Sequence, residues 1–328
     1  MIDDEIKQAI ENAHSFGIVS HIRPDGDAIG AVLAMGLALL AREKSVEIVL
    51  RSGISKTFKH LPGADLVRRS FHGDYDLSIV LDCSDEERSG GVLEGKVPDI
   101  VVDHHITNPK FGKINLIEPD AVATCAILAE HMPRWGLEID QKVASNLLSG
   151  IISDSIGFRT SNTTSKSLRI AADLMDKGAD ITRLYNRALV SKPFESYHYW
   201  GYGLVKLNRE NGMVWTTLSL EDRRNAAYMD EDDADLTNIL SSIEDIDVAV
   251  LFIEQNADHV KVSWRARPGI NVASIAASFG GGGHPAAAGA DIKGSLSEVQ
   301  NMILQKTRDY LSTLTNGNND PLPTKGME

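Results

Sequence analysis

The chain has 328 residues, of which 42% are hydrophobic and 24% charged, with 33 Lys and Arg against 46 Asp and Glu for a formal net charge of −13. That length suits about two domains, and the composition excludes a disordered, collagen-like or coiled-coil protein. So acidic a chain is a poor holder of long nucleic acid, which is gripped by many Lys/Arg–phosphate contacts; a short phosphorylated substrate at a local basic site stays compatible.

Taken in chain order, residues 3–15 read as a leading helix, and Gly17-Ile18-Val19-Ser20 as a short apolar strand. Residues 28–42 form an Ala/Leu-rich helix whose apolar run is shorter than the ~20 residues needed to span a bilayer. Strands follow at Val46–Leu50, Leu77–Leu81 and Asp99–Val102, each nearly continuous in apolar residues, as in a parallel sheet covered on both faces. Residues 121–135, 140–153, 164–177 and 180–190 read as helices. No unit of 20–50 residues repeats.

The pattern changes near Ser191-Lys192-Pro193, where Pro favours a boundary. The expected organisation is an N-terminal parallel-sheet α/β domain over 1–190 with helices on both faces, a connecting helix over 191–208, a smaller α/β or α+β domain over 209–315, and a disordered tail over 316–328. In the second domain, strands are expected at 213–219, 246–254 and 259–265, and helices at 271–278 and 295–314. Cys83 and Cys125 form neither a disulfide framework nor a C-x-x-C pair. The start Met1-Ile2-Asp3-Asp4-Glu5 lacks the basic and apolar regions of a secretory leader, so a soluble cytoplasmic protein is expected.

The chemistry lies where the strands end. The first strand runs into His21-Ile22-Arg23-Pro24-Asp25-Gly26-Asp27, the third into Asp82 and the fourth into Asp103-His104-His105. In an open parallel sheet that edge is where ligands bind. Asp154 closes the helix 140–153, an unfavourable place for an acid because the helix dipole is negative there. Taken singly, Asp25 and Asp27 suit N-caps, Asp82 and Asp103 suit turns, and the histidines suit a surface. Capping, however, does not require this set at one sheet edge, whereas a metal centre does. The ligand set is then His21, Asp25, Asp27, Asp82, His104 and Asp154. Four carboxylates and two imidazoles without a thiolate favour Mn²⁺ or Mg²⁺-like ions over a structural zinc. Six ligands suit two ions sharing a carboxylate, a pair able to activate hydroxide and clamp an in-line displacement at phosphorus.

His-x-x-x-Asp-x-Asp, Asp82, Asp103-His104-His105 and Asp154, in that order, resemble the four motifs of the DHH phosphoesterase family. The resemblance implies one Mn²⁺ on His21, Asp25 and Asp82 and another on Asp27, Asp82, His104 and Asp154, with Asp82 bridging; Mg²⁺ or Co²⁺ are the other candidate ions. It implies that His105 contacts the scissile phosphate or helps the leaving group, while Asp103 orients a histidine, as carboxylates beside metal sites often do. Phe279-Gly280-Gly281-Gly282-Gly283-His284-Pro285 resembles the signature of the DHH-associated C-terminal domain. Its glycines would let backbone N–H groups approach a phosphate. In the strand before it, Val260, Val262 and Trp264 alternate with Lys261, Ser263, Arg265 and Arg267, which offers a basic patch. Ser263, Arg265, Arg267, Gly282, Gly283 and His284 are therefore the substrate-binding candidates. Arg159 and Asn162 follow Asp154 closely enough to be considered with them.

Within the family, Ser263-Trp264-Arg265 and the Gly-Gly-Gly-Gly-His run resemble the NrnA-type branch, with Ala266 in a place that is often Ser. That resemblance implies a metal-dependent hydrolase of phosphate ester bonds, degrading short oligoribonucleotides to nucleoside 5′-monophosphates and converting pAp to AMP. The alternatives are a phosphodiesterase for linear or cyclic dinucleotides, an inorganic pyrophosphatase and a nucleotide-binding sensor. The expected partners are short RNA or small phosphorylated nucleotides, without long duplex nucleic acid or membrane; the oligomeric state, a homodimer included, is left open. The acidic stretch 230–235 lacks the glycine and distal Glu of a calcium loop and reads as a solvated helix start.

Overall fold

The computed structural model of the chain describes residues 2–317, and the chain divides into two units between Ser191 and Lys192. The first unit is built on six strands: β1 (Ser15–Val19), β2 (Ser45–Val49), β3 (Val67–Arg68), β4 (Leu77–Leu81), β5 (Ile100–Asp103) and β6 (Ile114–Ile117). Their order is β3-β2-β1-β4-β5-β6, and every pairing is parallel. The expected strands are present. The two additional ones are short, since β3 has two residues and β6 only the four of Ile114-Asn115-Leu116-Ile117.

Helices α1 (Ile2–Asn12), α2 (Gly26–Leu40), α3 (Thr124–His131), α4 (Gln141–Asp154), α5 (Ser165–Asp176) and α6 (Ile181–Tyr185) complete this unit. Helix α2 is buried almost all round, as its apolar composition requires. Helix α3 is shorter than the expected 121–135: its first N–H groups are capped at Thr124, and Pro133 lacks the N–H to continue. Across 180–190 the helix stops at Tyr185 and gives way to a π-helical turn, Asn186–Val190.

The second unit contains α7 (Phe194–Leu204), β7 (Asn208–Glu210), β8 (Met213–Leu218), α8 (Leu220–Asn225), α9 (Leu236–Leu240), β9 (Val248–Asn256), β10 (His259–Ala266), α10 (Ala273–Ala277), β11 (Gly282–His284), β12 (Ala287–Lys293) and α11 (Leu296–Gly317). Its sheet runs β11-β12-β10-β9-β8-β7, with β8 and β9 parallel and the other pairs antiparallel. Strand β9 is buried on both faces: Val250 and Phe252 pack with Trp264 and Ile303, Leu251 and Ile253 with Leu218 and Tyr199. The helix expected as a connector does not stand apart, because Tyr199 on α7 is fully buried in this core and stacks on Tyr228. The acidic stretch leads into α9, as its reading anticipates. Of the expected tail, Asn316 and Gly317 close α11, and the rest lies outside the described residues. Among the described residues no helix is long and apolar enough to cross a membrane, and both cysteines are free and buried.

Helices α2 and α4 approach closely because two glycines face each other's helix. A Cβ on Gly30 would stand 2.5 Å from the Asn146 carbonyl oxygen on α4, and one on Gly150 2.8 Å from Asp27 Oδ1 on α2 and 2.3 Å from Cys125 Sγ on α3. Gly30→Ala should therefore destabilise the protein. Overpacking costs about 1–3 kcal/mol, offset by up to ~1 kcal/mol of helix propensity. Gly201→Ala, on α7 with open space around it, should instead gain a few tenths to ~1 kcal/mol. Urea unfolding of the two variants checks this contrast, and a Gly30→Ala protein as stable as the parent would show that the helices separate without cost.

Candidate active site

Strands β1, β4 and β5 are neighbours, so the residues after their C-terminal ends share one edge of the sheet. Chain order reverses between β1 and β4, and a crevice opens at such a reversal in open parallel sheets. His21 follows β1, Asp82 follows β4, and Asp103 ends β5 with His104 and His105 directly after it. Helix α2 brings Asp25 and Asp27, and the C-terminus of α4 brings Asp154. Three overlapping groups result: His21, Asp25 and Asp82; Asp27, His104 and Asp154; and Asp82, His104 and His105. Within each, the candidate ligand atoms lie within 4.8 Å of one another. All six ligand candidates thus meet in one place.

Capping and site-building are not alternatives here. Asp25 Oδ1 accepts the backbone N–H groups of Asp27 and Ala28 at 3.0 and 3.1 Å, and also lies 3.9 Å from His21 Nε2. Asp27, which is 1% exposed, caps a different helix: its carboxylate accepts from Thr124 N at 2.6 Å and Cys125 N at 3.0 Å at the start of α3. Asp82 has φ +54°, a strained conformation for a residue other than glycine, and Ser20 Oγ donates to its carbonyl. Its Oδ2 lies 3.6 Å from His21 Nε2 and its Oδ1 3.6 Å from His104 Nε2. The two oxygens therefore face the two separate groups.

The histidines are aimed by what their other nitrogens touch. His21 Nδ1 donates to the Ile22 carbonyl at 2.9 Å, and His104 Nδ1 faces the Ala121 carbonyl at 3.3 Å, which leaves each Nε2 lone pair pointing inward. Arg88 Nη2 lies 3.3 Å from His21 Nδ1. His105 differs. Its Nδ1 donates to Asp103 Oδ1 at 2.7 Å, so Nε2 is the free end. Asp103 is fully buried and accepts also from His104 N and from Asn108 Nδ2 at 2.7 Å.

This packing of like charges shows in the basicities. Burial raises Asp27 well above the ordinary carboxylate range, helped by the charges of Asp82 and Asp154. Burial likewise pushes Asp154 up to about 6, with Asp82 adding to the rise. Burial opposes ionisation of Asp82 too, but the close approach of His21 and the charges of His104, His21 and His105 outweigh it and hold Asp82 at about 2. His104 rises to about 9, because Asp27, Asp82 and Asp154 overcome its burial. The ligand-atom separations of 3.6–3.9 Å exceed hydrogen bonds, whereas donors about 2.0–2.2 Å from a common cation sit roughly 3–4 Å apart. Oxygen and imidazole donors with uncompensated negative charge fit divalent cations.

The substrate-binding candidates fall differently. Arg265 is half-buried, with Nε donating to Asn238 Oδ1 at 3.2 Å and Nη1 to the Trp264 carbonyl at 3.0 Å, so Nη2 remains for a ligand. Ser263 is half-buried on the same face of β10, while Arg267 is exposed and paired with Asp247 at 2.7 Å. The second half of the glycine run, with His284, is the edge strand β11 rather than an open loop. A Cβ on Gly281 would stand 2.2 Å from the Gly289 oxygen, and one on Gly283, where φ is +142°, 2.4 Å from the Ala287 oxygen. These two glycines are demanded by the approach of β12, a packing reason for them that stands beside the expected anion-binding one. Gly282 faces open space, and His284 is exposed beside it. Arg159 is exposed, with its backbone N–H donating to the Ser155 carbonyl at 2.8 Å, and Asn162 is also exposed. Among the described residues no hydrogen bond or ion pair ties either side chain to the cluster.

Asp and His gathered in this way at the C-terminal edge of a parallel sheet form a candidate divalent-metal centre, the kind of site that serves hydrolases acting on phosphate ester bonds. The chain belongs to the DHH family: residues 15–151 match the DHH family N-terminal domain and residues 226–313 the DHHA1 domain. It is 32% identical over 314 residues to a Thermus thermophilus protein named bifunctional oligoribonuclease and PAP phosphatase NrnA, covering 94% of this chain and 93% of that one. A Mycoplasma genitalium protein of the same name is 29% identical, covering 92% and 96%. An exopolyphosphatase-related protein from Bacteroides fragilis shares the fold, with a TM-score of 0.90 at 22% identity over 96% and 97% of the two chains. Asp154 lies just past the matched DHH residues and is placed by geometry alone.

Asn108 carried no signal in the sequence, because only folding brings it against Asp103. Asn108→Ala would leave one oxygen of a fully buried carboxylate without its donor, and should destabilise the protein by about 1.5–3 kcal/mol. Urea unfolding of the metal-free protein measures this, and an unchanged midpoint would show that solvent replaces the amide.

Proposed function

We propose that this chain is a cytoplasmic hydrolase of short oligoribonucleotides, releasing nucleoside 5′-monophosphates, and that the same centre removes the 3′-phosphate from pAp. The observation that carries this reading is the convergence of His21, Asp25, Asp27, Asp82, His104 and Asp154 at one sheet edge. The names of the two relatives that match nearly the whole chain support it. His21, Asp25 and Asp82 would hold one divalent ion and Asp27, His104, Asp154 and Asp82 a second, Mn²⁺ foremost, with Mg²⁺ and Co²⁺ next. Such a pair supplies a hydroxide nucleophile and neutralises charge on the phosphate.

The remaining residues act on substrate. His105 is held through Nδ1 by Asp103, and although burial works against protonation, the Asp103 hydrogen bond and charge raise its basicity. Its free Nε2 is thus suited to donate a proton to a phosphate or leaving-group oxygen. In the second unit, Arg265 Nη2, Ser263, Gly282 and His284 would hold a phosphate or nucleotide. Arg267 contributes less, because Asp247 already pairs with it.

A panel of pAp, pApA, cyclic di-AMP, RNA of several lengths and pyrophosphate, assayed with Mn²⁺, Mg²⁺ or Co²⁺, tests the reading. Short RNA and pAp should be the best substrates, and elemental analysis should find about two ions per chain. Asp82→Ala should abolish activity and weaken both ion sites, while His105→Ala should keep the ions and lose turnover. Preferred hydrolysis of pyrophosphate, or one tightly held Zn²⁺ with activity intact, would overturn the proposal.

Arg265→Ala separates capture from chemistry. Losing a charge-assisted phosphate contact costs about 1.5–3 kcal/mol, which should raise KM for short RNA and pAp roughly 10–150-fold. A small chromogenic phosphodiester that reaches only the ions should be hydrolysed almost as before. An equal fall on both kinds of substrate would assign Arg265 to the fold or the chemistry.

A further inference from the structure

We propose that Thr124 is a positioning residue of the metal centre, whose hydroxyl fixes the carboxylate plane of Asp82 while its backbone N–H helps to fix Asp27. Thr124 is fully buried at the first position of α3, and its Oγ1 donates to Asp82 Oδ1 at 3.0 Å. Its backbone N–H donates to Asp27 Oδ2 at 2.6 Å, and the next N–H, of Cys125, to Asp27 Oδ1 at 3.0 Å. One residue therefore ties together two buried carboxylates, one from the end of β4 and one from the first turn of α2. The N-cap of α3 is Ala123, which has no side chain to cap with, so the orphan N–H groups of that helix are free for Asp27.

The geometry gives the hydroxyl a specific task. Asp82 Oδ1 faces His104 Nε2 and Oδ2 faces His21 Nε2, each at 3.6 Å. Rotating the carboxylate about its Cβ–Cγ bond would break this division of oxygens between the two groups. The Thr124 hydroxyl is a neutral donor that holds Oδ1 in place without competing for a cation, and it leaves that oxygen a second lone pair. Partners of this kind typically alter metal affinity 10–100-fold when removed.

The inference rests on the proposed two-ion centre, and its test keeps the two apart. Thr124→Val removes the hydroxyl at nearly constant shape, Thr124→Ala removes hydroxyl and methyl, and Thr124→Ser keeps the hydroxyl. Each protein is stripped with chelator, melted without metal, and titrated with Mn²⁺ by calorimetry. The expected result is Mn²⁺ affinity 10–100-fold weaker in Thr124→Val and Thr124→Ala, with Thr124→Ser within about threefold of the parent. Melting of the metal-free proteins should not follow that order. Parental Mn²⁺ affinity in either folded hydroxyl-free variant would overturn the positioning role. So would affinity that tracks metal-free melting across all three, which would make Thr124 a packing residue. A parent chain that binds no Mn²⁺ would instead overturn the metal centre itself, and this inference with it.

Discussion

Much of the first unit depends on how one carboxylate is held. Asp27 is buried at the start of α2 and accepts two N–H groups from the start of α3, so it joins two helix N-termini whose dipoles both favour its negative charge. Helix α4 packs against the same corner through Gly30 and Gly150, and a Cβ on Gly150 would stand 2.8 Å from Asp27 Oδ1. The close approach of α4 delivers Asp154 to the cluster, while α2 delivers Asp25 and Asp27. Were α4 displaced outward, Asp154 would leave the group it shares with Asp27 and His104.

The same corner is electrostatically costly. Burial and mutual repulsion push Asp27 and Asp154 up, and only the surrounding histidines and hydrogen bonds keep Asp82 low. Stability alone would not favour such an arrangement, since burying like charges is opposed by both desolvation and Coulomb repulsion. The fold tolerates it because three of the four carboxylates have fixed donors: Asp25 and Asp27 on backbone N–H groups, and Asp82 on Thr124. What these donors do not supply is a positive charge at the centre, which a divalent cation would.

The residues of this corner differ in how plainly a sequence shows them. His21, Asp82 and Asp103-His104-His105 were legible because each follows an apolar run that could hardly be anything but a buried strand. Asp154 was legible because an acid ending a helix works against the dipole. Thr124 and Asn108 left no such trace, as a threonine opening a helix and an asparagine in a loop are ordinary, and only tertiary approach gives them their partners. Strands β3 and β6 were missed for want of length, at two and four residues. The glycine run was seen, but its meaning was divided by something invisible in sequence. Strand β12 lies so close that Gly281 and Gly283 answer to its backbone, which leaves Gly282 free to face a ligand.

Charge connects the proposed activity to substrate length. A polyanion gains from a compact cationic centre only over the few phosphates that reach it, because exposed charges are screened beyond ~8 Å at physiological ionic strength. Each further phosphate of a long strand would lie against a protein whose formal charge is −13, with 33 Lys and Arg outnumbered by 46 Asp and Glu. Arg267 illustrates the scarcity, since its guanidinium is already paired with Asp247, and Arg265 has committed two of its nitrogens to Asn238 and Trp264. A short oligonucleotide or a nucleoside bisphosphate places most of its charge at the centre and little beyond it. On the proposed activity, the net negative charge thus narrows the substrate range toward the short end.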